Sequence, residues 1–162
     1  MPSSQSKRGA SRHFDSLPQE AFLNLWRTYD RLRDFEDALF SRFDLTPQQY
    51  NVLRLLRGEH PTPQPTLSLA ARLVSHAPDI TRMLDKLAAR ELVTRERPAD
   101  NRRVVLVSLT PTGIALLREI DKPLRQCHHE QLGHLPPADL EQLIKLLKAA
   151  RAPHEEDRSI WK

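Results

Sequence analysis

The fold is decided by residues 67–116, which read LSLAARLVSHAPDITRMLDKLAARELVTRERPADNRRVVLVSLTPTGIAL. Apolar side chains recur at helical spacing over 67–73 and again over 80–87, with a short polar interval between the two runs. Leucine and β-branched residues then form two short runs within 92–109, which predict a two-stranded hairpin. Its turn, residues 95–103, carries five basic or amide side chains around a proline. The stretch therefore predicts a helix, a turn, a second helix and a hairpin.

A helix pair followed by a basic hairpin can present one helix to the major groove of DNA and an arginine to the adjacent minor groove. The charge distribution agrees with this interpretation. Residues 67–112 hold eight basic and five acidic side chains, whereas residues 113–162 hold eight of each. Because a basic patch attracts polyanions through counterion release, the stretch predicts double-stranded DNA as a partner. A solvated surface with a slight excess of basic residues would give the same charge.

Composition excludes several classes of protein. The single cysteine, Cys127, cannot form an internal disulfide and is typical of a reducing compartment. The segment MPSSQSKRGASRHFD lacks the apolar core of a signal peptide, and no apolar run approaches the roughly 20 residues that span a bilayer. We therefore expect a cytoplasmic protein without membrane contact. No glycine-rich phosphate loop, nucleophile elbow or HExxH motif is present, so no enzymatic activity, cofactor or metal is expected.

A long amphipathic helix is predicted within residues 16–45. Ser16 and Gln19 have capping-box spacing, and apolar side chains follow at three- and four-residue steps. Six of the nine aromatic residues lie here: Phe22, Trp26, Tyr29, Phe35, Phe40 and Phe43. So wide an apolar stripe exceeds what the core of one small domain needs. Part of it is therefore expected to face a second subunit, while ordinary core packing accounts for the rest.

Other helix ends are marked by caps and breakers. Thr46 and Thr110 are each followed by proline, which is the usual combination of an N-cap and a first-turn residue. Gly58 is expected to end the first of these helices, and Pro123 to kink or break the second. A last helix follows GHLPP, and its apolar side chains are Leu140, Leu143, Ile144, Leu147 and Ala150.

Residues 67–116 resemble the winged helix-turn-helix of the MarR family of bacterial transcription regulators. The most specific matches are PDITRMLDKLAARELV and RERPADNRRVVLVSLTPTG. The flanking helices resemble the dimerisation region of that family, so the resemblance covers about residues 18–152. It implies a homodimeric repressor or activator, with a repressor favoured, that binds a pseudo-palindromic operator and is released by a small-molecule effector. The chain departs from the family at Glu91, where glycine is usual, which predicts an unusual backbone angle there.

The resulting fold class is mainly α with a small β-hairpin wing (α+β). A flexible basic arm over 1–15 precedes the folded part. The winged helix-turn-helix is expected over 46–110, and a helical dimerisation region over 16–45 and 111–152. A C-terminal tail occupies 153–162.

The second helix of the pair corresponds to the recognition helix of the family. Ser75 is a suitable N-cap and Pro78 fits a first turn, so this helix is expected to span 76–89. The resemblance implies that the residues facing the major groove are Ser75, His76, Pro78, Asp79, Thr81 and Arg82.

These positions imply distinct contacts. Arg82 would contact guanine edges or a phosphate, and Thr81 and Ser75 would form short hydrogen bonds to phosphates. Asp79 would accept from cytosine or pair with a basic neighbour. Lys86 would be a contact to the DNA backbone or a surface lysine.

The wing carries the second set of assigned contacts. Arg103 matches the arginine that the family inserts into the minor groove, and Arg102 is expected to grip a phosphate. The wing turn also contains Arg97, Asp100 and Asn101. Where the family commonly has aspartate, Asn101 keeps the turn-forming hydrogen bonds but loses the charge that restrains an arginine. The prediction is a looser wing, or one in which Asp100 takes over this role.

Several hypotheses are open for the effector and for the mode of regulation. Phe22, Trp26 and Tyr29 are candidate walls of a pocket for an aromatic or phenolic ligand by analogy with the family, although such stripes also form ordinary cores. An oxidant-responsive regulator would use Cys127, with its thiol pKa lowered by Arg125, His128 and His129; an inert interface cysteine is the alternative. A metal sensor would use His128, His129 and His134, whose spacing fits no compact zinc motif. A winged helix that binds only protein is a further alternative.

Overall fold

The computed structural model describes residues 14–156 and 159–161 and is mostly helical with a small antiparallel sheet. By contacts the chain divides into two compact units between Asp34 and Phe35. The helices are α1 (Leu17–Ser41), α2 (Pro47–Glu59), α3 (Thr66–Arg72), α4 (Ile80–Ala89), α5 (Pro111–Leu132) and α6 (Pro137–Arg151), followed by a 3-10 turn (Ala152–His154). The strands are β1 (Gln64–Pro65), β2 (Val93–Glu96) and β3 (Leu106–Leu109). Residues 1–13 of the predicted basic arm lie outside the described residues.

Two predicted N-caps are confirmed. The Thr46 side chain accepts a hydrogen bond from the Gln49 amide at 3.1 Å, and the Gln49 side chain accepts from the Thr46 amide at 2.9 Å, which completes a capping box. The Thr110 side chain accepts from the Gly113 amide at 3.0 Å and starts α5. Both caps are followed by a proline in the first turn, where no amide partner is lost.

The core lies in the second unit and joins the helices to the sheet. Leucines of α2, α3, α4 and α5 pack there with valines of β2 and β3. Its most completely buried large side chains are Phe40, Leu53, Leu56, Leu69, Leu84, Leu87, Leu117, Ile120, Val52 and Val107. The Phe40 ring stacks on Tyr50 at 4.6 Å between centroids. This packing fixes one face of α4 and leaves its opposite face to solvent.

The sheet has three strands rather than the predicted two, in the order β1–β3–β2. Gln64 and Pro65 of β1 pair antiparallel with Val107 and Leu106 of β3. The Thr66 amide and hydroxyl both donate to the Val105 carbonyl, at 3.0 and 3.1 Å. The start of α3 is therefore attached directly to the strand that leaves the wing.

Two predicted breakers do not break their helices. Gly58 lies inside α2, which continues to Glu59 and is capped by His60. Pro123 lies inside a continuous α5, because the side chains on either side of it along the buried face, Ile120, Leu124 and Cys127, hold the helix to the core. Within residues 14–156 and 159–161, no helix combines the length and the apolar character that crossing a membrane requires.

Candidate nucleic-acid interface

The recognition helix begins later than predicted. Asp79, not Ser75, is its N-cap: the Asp79 carboxylate accepts from the Arg82 amide at 3.1 Å, and α4 starts at Ile80. A carboxylate at this position also faces the positive end of the helix dipole. The predicted helix over 76–89 is thus wrong at its start, and the Asp79 carboxylate is engaged as the cap of α4.

The segment before α4 is an ordered loop rather than a helical turn. Ser75, His76 and Pro78 are exposed, whereas Ala77 is buried and anchors the loop. The Val74 amide donates to the Asn51 side-chain oxygen at 3.2 Å, which ties the start of the loop to α2. The three exposed residues therefore stand beside the N-terminus of α4 without belonging to it.

The two faces of α4 are chemically different. Leu84 and Leu87 are buried, and Ile80 packs partly against the core. The exposed polar positions are Thr81, Arg82, Asp85 and Lys86. Asp85 forms an ion pair with Arg95 of β2, which ties the exposed face of the helix to the base of the wing. Thr81, Arg82 and Lys86 remain on the accessible face, as the sequence predicted.

The wing is held by its own backbone and by Asn101. The Asn101 side-chain oxygen accepts from the Arg103 amide at 3.3 Å, while the Asn101 amide donates to the Pro98 carbonyl at 3.2 Å. The Arg97 guanidinium donates to the Arg102 carbonyl at 2.8 Å across the turn. Asn101 thus keeps the local turn bond that an aspartate would make, and the wing holds its turn without a carboxylate at this position.

A groove of about 360 Å³ lies between α3, the start of α4 and the wing. Thr81 stands on the α4 side of this groove, and Arg103 and Arg97 stand on the wing side. The structure therefore brings predicted residues of the helix and of the wing together in one groove. Ser75, His76 and Lys86 do not line it. Its full lining is Pro65, Thr66, Leu67, Thr81, Leu84, Arg95, Arg97, Arg103, Val104 and Val105.

Leu67 and Arg95 line the groove although sequence reasoning did not assign them to it. Leu67 is 83 % exposed, the most exposed large apolar side chain among the described residues. Its helical spacing predicts a core position, but in the first turn of α3 it is Leu69 that is buried, while Leu67 projects to solvent. The predicted turn includes Arg95, but this residue belongs to β2, where it pairs with Val107 of β3. Its guanidinium forms an ion pair with Asp85 of α4.

The base of the wing contains the unusual backbone angle expected at Glu91. Glu91 has φ 56°, in the left-handed region where glycine is favoured. The Thr110 hydroxyl donates to the Glu91 carbonyl at 2.6 Å and to the Leu92 carbonyl at 3.0 Å. These bonds hold the turn between α4 and β2 against the start of α5.

The candidate effector residues occupy one exposed helix face. Phe22, Trp26 and Tyr29 are 61, 61 and 62 % exposed, and the rings of Phe22 and Trp26 lie 6.1 Å apart. A shallow cavity of about 350 Å³ is lined by Leu23, Trp26, Arg27 and Asp30. Of the three candidates it includes Trp26 alone.

The environment of Cys127 is opposite to the one that the oxidant hypothesis requires. Cys127 is buried, and this burial raises the pKa of its thiol, with the Glu36 and Glu130 carboxylates raising it further. Arg125, His128 and His129 do not lower this pKa, and the His128 ring hydrogen-bonds the Glu36 carboxylate at 3.1 Å. The predicted lowering of the thiol pKa is therefore wrong.

The histidines near Cys127 do not gather into a ligand set. Within the described part of the chain, no three histidine, cysteine or acidic side chains lie close enough to hold a metal ion. His128 is instead engaged with the Glu36 carboxylate.

Comparison with known proteins agrees with this architecture. The MarR family profile matches residues 45–105. A crystal structure of a MarR transcription factor from Planctomyces limnophilus is 54 % identical, with 84 % of this chain and 98 % of that chain covered and a TM-score of 0.68. The chain belongs to the MarR family. It is accordingly a transcription regulator of the winged-helix class and not an enzyme.

Two further MarR-type similarities extend over most of the chain. The HTH-type transcriptional regulator MhqR of Bacillus subtilis (strain 168) is 28 % identical over 127 residues, which are 78 % of this chain and 86 % of that protein. The structure of Bordetella bronchiseptica BpsR, described for the regulation of its DNA binding by 6-hydroxynicotinic acid, is 26 % identical. The similarity covers 81 % of this chain and 98 % of the BpsR chain, with a TM-score of 0.73.

Proposed function

We propose that this MarR-family regulator binds operator DNA by inserting α4 into the major groove and the wing into the adjacent minor groove. The observation that carries the proposal is the groove shared by Thr81 of α4 and Arg103 of the wing. The sugar-phosphate strand that separates the two DNA grooves would cross at this place. Arg95 and Arg97 supply positive charge there, and Leu67 supplies an apolar contact for a deoxyribose or a base methyl group.

Separate roles are proposed for the contacts outside this groove. Arg82 lies exposed in the first turn of α4, where the residues that reach base edges in helix-turn-helix proteins are found. Ser75, His76 and Pro78 would approach the DNA from the loop, and Lys86 and Arg102 would contact phosphates. Asp79 is assigned no contact, since its carboxylate caps the helix.

We further propose that the active form is a homodimer. Of the 25 residues of α1, only Leu39 and Phe40 are buried, although the helix carries several large apolar side chains. In the second unit α6 buries no residue at all and leaves Ile144 and Leu146 more than half exposed. Apolar surface on this scale is typical of an interface with another chain. Twofold symmetry would bring two recognition helices into major grooves roughly 34 Å apart on a pseudo-palindrome.

Repression released by a small-molecule effector is the proposed mode of regulation. The support is the BpsR relative, whose DNA binding is described as regulated by 6-hydroxynicotinic acid. Trp26 and its neighbours on α1 are the proposed contacts for an aromatic ligand. Such a ligand would act only through different affinities for the DNA-bound and free forms of the protein.

The test is a binding titration with duplexes from the region upstream of its own gene. We expect sequence-selective, salt-sensitive binding by the wild type. Arg103→Ala should weaken operator binding by about 1–3 kcal/mol, mainly where the flanks are rich in A·T. Arg82→Ala should relax the base preference, because it removes a proposed contact to base edges.

Arg118→Ala serves as the matched control, because Arg118 is an exposed arginine of α5 that does not line the groove. It should leave affinity unchanged. Equal affinity of Arg103→Ala and wild type would remove the wing from the proposal. A uniform loss by Arg82→Ala across all sequences would make Arg82 a phosphate contact.

A further inference from the structure

Arg90 makes a contact that involves neither the wing nor the groove. It is the C-cap residue of α4, and its guanidinium donates to two main-chain carbonyls: Asp44 at 2.5 Å and Phe43 at 3.0 Å. Both acceptors lie in the turn that follows α1. One side chain therefore joins the C-terminal end of the recognition helix to the C-terminal end of the longest helix in the chain.

Both acceptors are main-chain carbonyls of the turn just beyond α1. α1 ends in a left-handed cap, in which Asp44 has φ 51° and the Leu45 amide donates to the Phe40 carbonyl at 3.0 Å. The carbonyls of Leu39, Phe40 and Ser41 already accept from amides of this turn, so the carbonyls beyond the helix are the ones that accept from Arg90. A guanidinium matches this place well, since it is always charged and its planar fork can hold two carbonyls together.

The other attachments of α4 act nearer its start or along its buried face. Asp85 pairs with Arg95 at the wing, and the loop before α4 is tied to α2 through Asn51. Leu84 and Leu87 fill the core but, being apolar, fix the angle of the helix less strictly than directed hydrogen bonds do. Arg90 adds the directed tie at the far end, nearly three turns from Ile80, the first residue of α4.

We propose that Arg90 is a positioning residue for DNA binding, which holds α4 at a fixed angle to the end of α1. This inference rests on the proposed function, in which α1 contributes to the dimer interface. Two recognition helices can enter successive major grooves only if each is held at a defined position relative to the twofold axis. Loss of the tie would therefore reduce operator binding although Arg90 does not touch the DNA.

The test compares Arg90→Ala with Arg57→Ala in fluorescence anisotropy titrations at several salt concentrations. Arg57 is a matched control: it donates to both carboxylate oxygens of Asp121, at 2.9 and 3.1 Å, and joins α2 to α5 without contacting α4. Arg90→Ala should bind the operator about tenfold more weakly, with unchanged affinity for an unrelated duplex and an unchanged salt slope. Arg57→Ala should bind both duplexes like the wild type.

Rescue by the conservative variant separates positioning from general stability. In Arg90→Lys one ammonium can hold a single carbonyl at a time, so its operator affinity should lie between those of wild type and Arg90→Ala. If Arg90→Ala fails to fold, Arg90→Lys replaces it in the comparison. We expect Arg90→Lys to melt at the same temperature as Arg57→Ala, so that any difference in operator affinity does not come from stability. Intermediate affinity supports positioning, and wild-type affinity overturns it.

Two further results would overturn the inference. Equal operator affinity of Arg90→Ala and wild type would show that the tie does not set the helix angle. Equal weakening on both duplexes, with a salt slope lower by about one, would make Arg90 a phosphate contact. If the wild-type protein binds the operator no more tightly than the unrelated duplex, the proposed function itself fails. That result is seen with the wild type alone, so it is distinguishable from a failure of the inference about Arg90.

Discussion

Gly113 offers a sharp test of how the wing is attached to the helices. It is buried in the first turn of α5, and a Cβ added there would overlap the Leu92 carbonyl oxygen and lie 2.8 Å from Cδ1 of Leu109. The Leu92 carbonyl accepts from both the amide and the hydroxyl of Thr110, at 3.1 and 3.0 Å. It cannot move away from a new methyl group without weakening these two bonds. We therefore predict that Gly113→Ala destabilises the protein.

The magnitude follows from three opposing effects. Alanine is favoured over glycine within a helix by about 1 kcal/mol. Overpacking a close-packed site costs roughly 1–3 kcal/mol, and each weakened hydrogen bond costs up to about 1 kcal/mol. At the middle of these ranges the net loss in the free energy of unfolding is about 2 kcal/mol, within limits of about 0–4 kcal/mol. Each kcal/mol corresponds to about 2–4 °C in melting temperature. Because Leu92 leads into β2, the wing should shift and operator affinity should fall as well.

Gly58→Ala provides the matched control in thermal unfolding followed by circular dichroism. Gly58 lies inside α2, and no atom lies within 4 Å of the position that its Cβ would take. This variant should raise the stability by about 0.5–1 kcal/mol. The reasoning is refuted if Gly113→Ala melts at or above the wild-type temperature, or if the two alanine variants shift the melting temperature in the same direction.

Three further predictions concern the turn before β2, the wing and the buried thiol. Glu91→Gly should stabilise the protein by about 0.5–1 kcal/mol in thermal unfolding, because glycine adopts φ 56° without the steric cost of a side chain. Asn101→Ala should weaken operator binding about two- to fivefold with little change in melting temperature, since it removes the bond to the Arg103 amide from an exposed turn. Cys127 should react with Ellman's reagent at pH 7.5 at least roughly tenfold more slowly in the native than in the urea-unfolded protein. Burial and two carboxylates raise its pKa, so the thiolate is scarce.

Each of these has a defined control. Glu91→Ala keeps a Cβ and should not gain stability, and Asn101→Asp keeps the accepting oxygen and should bind like the wild type. For Cys127 the raised pKa means that its protonated form stabilises the native state below the unfolded thiol pKa. This contribution is lost as the pH rises through the native pKa. The free energy of unfolding of the wild type, minus that of Cys127→Ser, should therefore fall as the pH rises. An increase of this difference with pH would contradict the prediction.

The parts predicted correctly from the sequence are those in which one local signal acts without competition. Thr46 and Thr110, each followed by proline, start helices as expected. In both cases the chemistry of a single residue and its neighbour in sequence determines the conformation. The left-handed backbone angle at Glu91 was expected for a different reason, the family resemblance, because glycine is usual at that position.

The missed features depend on competition or on contacts distant in sequence. Two residues, Ser75 and Asp79, could cap the recognition helix, and burial of Ala77 between them selects the later one. Pro123 should interrupt a helix, but packing on either side of it overrides that preference. β1 is only two residues long, so no periodicity reveals it, and it exists only because β3 lies beside it. The groove could not be foreseen because it joins three separate segments.

The short strand β1 also limits how the molecule can aggregate. It forms one outer edge of the sheet, and Pro65 within it has no amide hydrogen to offer to an incoming strand. At the other edge, β2 exposes the charged side chains Arg95 and Glu96, which would be brought against a second chain. Neither border can readily be extended by strand addition. The dimerisation through helices proposed above would then proceed without competing formation of cross-β assemblies by the wing.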